Sequence, residues 1–221
     1  MSTDAHDVYC IFREIGSTSL VIFQRNGLLL RRPPRSRELM LGDINTGFVE
    51  MLKQVRALNL RFGFISDQSG MAAGTHGKSE AAALIRILDQ LLAVGGTMPD
   101  FWMAGASPRP NDTRLNARNH PRQRPEADMI LRALDRYGVD TSEAVFVGSS
   151  AAIFAASNAG VTGIHCSGWG SDRTSCAQIA IEPRRSSPHE ITEVQQLRAA
   201  IEQILGVRHR TGNHCIVAQS E

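Results

Sequence analysis

The stretch VIFQRNG, Val21 to Gly27, decides how the rest of the chain is read. Apolar, β-favouring residues run into Gln24, Arg25 and Asn26, and Gly27 closes the turn. This is the pattern of a buried strand that ends in a polar turn. Many phosphate-handling α/β proteins carry their first reactive residues at such a strand end, yet none of these three polar residues is acidic.

Working outward, LRFGFIS, DFWMAG, EAVFVG and VTGIHC read as further strands, and DVYCIFREIGSTS as a possible extra strand before the core. Between them lie segments with helical spacing. In NTGFVEMLKQVRALN, Phe48, Met51, Leu52, Val55 and Leu58 share one face, and Asn45 or Thr46 can cap the start. GKSEAAALIRILDQLLAVG, EADMILRALDRYG, SAAIFAASNAG and the late SPHEITEVQQLRAAIEQILG complete the set, several closed by glycine. IAIEP is a candidate edge strand, GLLLRRPPRSRELMLGDI a loop or small flap, and residues 104–123 a long polar loop. Phe101 and Trp102 are expected in the core.

Strands alternating with helices predict an α/β fold of three layers, a central parallel sheet with helices on both faces. One domain is expected over residues 1–206, with a tail at 207–221. Ligands of such sheets bind beyond the carboxyl ends of the strands. The candidates are therefore Gln24, Arg25 and Asn26, then Ser66, Asp67 and Gln68, then Gly148, Ser149 and Ser150, with Arg124 joining from a helix start.

Composition narrows the classes. The chain has 221 residues, 42% hydrophobic and 21% charged, with a formal net charge of +2. That charge is too small to argue for nucleic acid, and no apolar run reaches the roughly 18 residues of a membrane span. The start MSTDAHDVYC lacks the pattern of a signal peptide, so a cytoplasmic location is expected. The four cysteines, Cys10, Cys166, Cys176 and Cys215, form no C-x-x-C pair and read as reduced thiols. His165 and Cys166 are adjacent on a strand and so face opposite ways, which argues against a Cys–His pair. GTHGKSE suggests a nucleotide-binding loop, but Ala72 stands where that motif needs glycine.

The turns, taken in order, resemble the haloacid dehalogenase superfamily, in particular its histidinol-phosphate and heptose-bisphosphate phosphatases. Their first motif, F-L-D-R-D-G, corresponds to VIFQRNG. Their T-N-Q-S-G-I-A-R-G corresponds to ISDQSGMAAG, R-K-P-x-P-G-M to QRPEADM, and V-G-D-x-x-x-D-x-x-A-A-x-N-A-G to VGSSAAIFAASNAG. The resemblance covers about residues 20–165 and implies a Rossmann-like fold with a minimal cap or none.

It also implies a phosphatase site, from which this sequence departs. The nucleophilic aspartate and the acid/base aspartate of the family fall at Gln24 and Asn26. Amides replace neither a nucleophile nor a proton carrier. The carboxylates that help to hold Mg²⁺ fall at Ser149 and Ile153, and Arg124 stands in place of a lysine. The zinc-binding cysteines before the third motif are absent, leaving His120 alone in that loop. The expectation is therefore a pseudophosphatase without catalytic residues, metal or cofactor. Gln24, Arg25, Asn26, Ser66, Asp67, Arg124 and Ser149 would form a site for a phosphorylated small molecule, a protein partner being the other expected occupant. Two rivals stand beside it: an active phosphatase with unusual residues, using Asp67, and an interaction protein with a collapsed pocket. The sequence leaves the oligomeric state open.

Overall fold

The computed structural model describes residues 7–16, 18–30, 44–67, 75–105, 125–166, 177–179, 181–182, 189–191 and 194–206. The opening segment forms β1 (Asp7–Phe12), and VIFQ closes β2 (Thr18–Gln24). Then follow α1 (Thr46–Ala57), β3 (Leu60–Asp67), α2 (Thr75–Val94), β4 (Phe101–Gly105) and α3 (Pro125–Tyr137). The chain continues through β5 (Ala144–Gly148), α4 (Ser150–Asn158), β6 (Thr162–His165), β7 (Ala177–Ile179), β8 (Ile181–Glu182), β9 (His189–Ile191) and α5 (Val194–Leu205).

Seven strands form one sheet in the order β1-β4-β3-β2-β5-β6-β8. The five inner strands are parallel, as expected. Both edges differ: β1 runs antiparallel to β4, and β8 antiparallel to β6. The parallel core needs helical crossovers, whereas an edge strand can be added by a segment that simply turns back. The late segment also departs from its reading. Part of IAIEP forms β8, while Ala177–Ile179 pairs with His189–Ile191 in a separate two-stranded sheet. The first part of SPHEITEVQQLRAAIEQILG is therefore strand, and the helix starts only at Val194. The long loop 106–124, with Arg124 and His120, lies outside the described residues, as does the tail from residue 207.

Strand alternation sorts the apolar side chains into two cores. On one face Val21, Phe23, Phe62, Phe64 and Trp102 pack under α1, α2 and α5 through residues such as Phe48, Leu88 and Ile201. On the other, Leu20, Ile22, Ile65, Phe101 and Phe146 pack under α3 and α4 through Ile130 and Ala152. The first core is aromatic: Phe64 stacks on Trp102 at 4.7 Å between centroids, and Phe23 meets Phe48 edge-on at 5.2 Å. Helix α1 is capped as its sequence suggested, with Asn45 Oδ1 accepting from the Phe48 N–H.

Chain order fixes where a site can lie. From β2 the chain moves one way to β3 and β4, then returns to lay β5 on the other side of β2. The carboxyl ends of β2 and β5 thus flank the point where winding reverses, the usual ligand crevice of open α/β sheets.

Candidate functional site

Gln24 ends β2 and Ser149 follows β5, so the two flank this crevice. They are joined directly, for Gln24 Oε1 accepts a hydrogen bond from the Ser149 backbone N–H at 2.8 Å. An N–H can only donate, so the amide oxygen must be the atom facing Ser149. The group left to Gln24 for other contacts is its Nε2 donor pair. Gly148 makes room for this bridge. A Cβ there would lie 3.0 Å from both Gln24 Cβ and Oε1, and 2.7 Å from Phe146 Cε1. Ser149 is also the N-cap of α4, but its own side chain makes no capping bond.

The turn after β2 is tightly built. The Arg25 backbone N–H donates to Ile65 O at 2.9 Å, and the Leu29 N–H donates back to Arg25 O at 3.2 Å. Gly27 sits at φ +86°, a left-handed conformation that favours glycine. Arg25 Nε donates to Asn26 Oδ1 at 3.2 Å. The same reasoning fixes the second amide: its oxygen faces the guanidinium and its Nδ2 donors remain. Gln24 and Asn26 therefore both direct their oxygens to the protein and keep N–H donors to offer.

Arg25 itself is only 3% exposed. Burial pushes its guanidinium down to a pKa of about 10, still charged at neutral pH. Asn26 is its one hydrogen-bonding partner among the described residues, and Nη1 has none.

Ser66, in β3, is 3% exposed. Ile65 is the register partner of Gln24 and packs on the α3/α4 side, so the next residue of β3, Ser66, faces the other side. The structure thus brings Gln24 together with Ser149, and Arg25 with Asn26, while Ser66 faces the opposite side of β3 from Gln24's partner Ile65. The backbone of Asp67 closes β3, paired with Gly105, and its side chain lies outside the described residues, as does Arg124. Ile153 is no ligand: it packs against the α3/α4 core, its Cγ2 2.8 Å from where a Cβ on Gly163 would stand.

One contact at this sheet end was not read from the sequence. Ser150 Oγ, at the first residue of α4, lies 2.8 Å from His165 Nε2 at the end of β6, in an exposed pair. The signal was available, since both residues follow from the placement of neighbouring strand ends. Cys166 points the other way into the core and Cys10 is half-buried, its thiol pushed up by burial.

Magnesium requires oxygen ligands, generally with carboxylates among them. Gln24 Oε1 is already occupied by Ser149 N–H, Asn26 Oδ1 by Arg25, and Ile153 offers nothing. The described residues do not fit a divalent cation here, and among them no group of three or more His, Cys, Asp or Glu side chains could hold one. No helix among the described residues is long and apolar enough to cross a membrane. A shallow groove between α1 and α5, lined by Gln54, Gln195, Arg198, Ala199 and Glu202, lies along the helices and contains none of the strand-end residues.

No family model matches the chain. It is 31% identical over 141 residues to a D-glycero-β-D-manno-heptose-1,7-bisphosphate 7-phosphatase of Mesorhizobium japonicum. The match covers 62% of this chain and spans 61% of that relative's length. Among solved structures, a protein of Mesorhizobium loti assigned as a HAD-like phosphatase superposes with a TM-score of 0.67 at 23% identity, covering 92% of this chain and 96% of the other. A D,D-heptose 1,7-bisphosphate phosphatase of B. bronchiseptica, complexed with magnesium and phosphate, gives a TM-score of 0.50 at 20% identity, covering 66% of this chain and 78% of the other. The sheet order and these likenesses give the chain an α/β fold of the haloacid dehalogenase type, and over 61% of that relative's length its sequence is similar to a heptose-bisphosphate phosphatase.

Proposed function

We propose that this protein binds a phosphorylated small molecule at the carboxyl ends of β2 and β5, without a divalent metal and without turning it over. The observation that carries this reading is the commitment of both amide oxygens, Gln24 Oε1 to Ser149 N–H and Asn26 Oδ1 to Arg25. A site that keeps its N–H donors and places a guanidinium behind them suits an anion and repels a cation. The first turn of α4 adds backbone donors and the positive end of a helix dipole. The likeness to a heptose-bisphosphate phosphatase supports a phosphate ester as the ligand class. A protein partner carrying a phosphate group would meet the same donors.

The test joins binding to turnover. Titration of a sugar phosphate by calorimetry in EDTA should show binding, weakening as salt rises because the attraction is partly electrostatic. Phosphate release with Mg²⁺ should stay well below the roughly 1 per second of an ordinary enzyme. Affinity that appears only with Mg²⁺ would overturn the reading.

One observation favours a second reading, that of an active hydrolase. Ser150 Oγ and His165 Nε2 lie at the distance of a nucleophile and its general base. Activity lost in both Ser150→Ala and His165→Ala, and retained in a Gln24 variant, would support it.

A further inference from the structure

A cation buried without a counter-ion is costly, and proteins pair or neutralise such groups as a rule. Arg25 breaks that rule. The residue is 3% exposed, and among the described residues its Nη1 has no partner and its side chain's one polar contact is a neutral amide oxygen at 3.2 Å. Neutralisation is no escape, since a guanidinium does not lose its proton near neutral pH. The other buried arginine contacts show the contrast. Arg56 reaches the fully buried Asp100 at 2.9 Å, and Arg13 pairs with Asp89. Ile65, whose carbonyl accepts from the Arg25 backbone N–H, is followed by Ser66, a hydroxyl-bearing residue equally buried. Two buried polar groups therefore end adjacent strands at the ligand end of the sheet.

We infer that Arg25, which has no counter-ion among the described residues, is a buried anion anchor, and that an oxyanion entering beside Asn26 supplies that charge. Asn26 is half-exposed and is the group that covers the guanidinium. A rotation of its amide would give the anion the acceptor position that Oδ1 now holds, exchanging a neutral acceptor for a charged one. Binding would then couple to folding, because the anion relieves a strain that the free fold carries. The ligand's class rests on the anion-binding reading above. The place of the anchor rests on the burial of Arg25 alone.

The experiment uses the full chain in EDTA, with inorganic phosphate as probe and sodium chloride at matched ionic strength as control. Melting temperature and a calorimetric dissociation constant are measured for wild type, Arg25→Met and Arg25→Lys. Phosphate, and not chloride, should raise the wild-type melting temperature. Without phosphate, Arg25→Met should melt at or above wild type, since a neutral chain of similar shape removes an unpaired charge. Its phosphate dissociation constant should rise by about tenfold or more, while Arg25→Lys keeps part of the response. Should Arg25→Met not fold, Arg25 is a structural residue and the inference is overturned. It is equally overturned if that variant melts lower in buffer yet binds phosphate as wild type does, an outcome that leaves the proposed function standing. Equal stabilisation of wild type by phosphate and chloride would remove both.

Discussion

Gln24, at the end of β2, behaves as a strut. Its oxygen holds the Ser149 N–H at 2.8 Å, across the mouth of the crevice. Replacing it with leucine should leave that N–H without an acceptor and cost about 1–3 kcal/mol, readable by urea unfolding. Gly148→Ala should cost a similar ~1–3 kcal/mol, because a Cβ at 3.0 Å from Gln24 forces the strut aside. Installing the acid should fail for a different reason. Gln24→Asp adds a nucleophile, but Asn26 still carries no proton and Ile153 stays in the apolar core. Groups that act as a unit are strongly non-additive. Phosphate release by Gln24→Asp with Mg²⁺ is therefore expected to stay below about 1 per second.

Among the elements, β4 does more than its five residues suggest, because Asp100 precedes it. Asp100 is fully buried, and its carboxylate accepts from the Ile15 and Gly16 N–H groups at 2.7 and 2.8 Å, the Phe62 N–H at 3.0 Å, and Arg56 at 2.9 Å. One side chain thus fastens the β1–β2 connection, β3 and α1 to a single point. Asp100→Ala would orphan three backbone donors and a guanidinium whose other hydrogen bonds go to the Leu60 and Met98 carbonyls. Breaking a buried pair costs about 3–5 kcal/mol, so the variant should unfold at markedly lower urea. Asp100→Asn should recover only part of this, since an amide oxygen accepts fewer of these bonds.

At the scale of the whole molecule, two helical layers are held to one sheet, and Tyr137, at the end of α3, ties one of them to the segments after β1 and before β4. Its hydroxyl donates to the Arg13 and Asp100 carbonyls at 2.8 and 2.9 Å, and burial raises its pKa from 10.0 to about 12. Between those values the unfolded chain gives up the phenolic proton while the folded chain keeps it. The folded state then binds more protons, so stability falls as pH rises. The advantage of wild type over Tyr137→Phe should be full below pH 10 and shrink toward pH 12, measured by denaturation at each pH.

The periodicity of the chain was enough for the α/β layering, the five parallel strands and four of the five helices, because apolar spacing and glycine stops are local properties. That Gln24, Asn26, Ser149 and Ile153 carry no acidic group is likewise a matter of residue type. Periodicity misread the segment before α5, whose first residues pair with a strand ten residues earlier, since such pairing depends on a partner rather than on local spacing. Only the tertiary structure decided which way the amides face, that Ile153 joined the core, and that Ser150 meets His165. Each of these is set by a contact between residues distant along the chain. The burial of Arg25 is of the same kind: the sequence names a cation after a strand, and only the packing around it removes the water that would have solvated its charge.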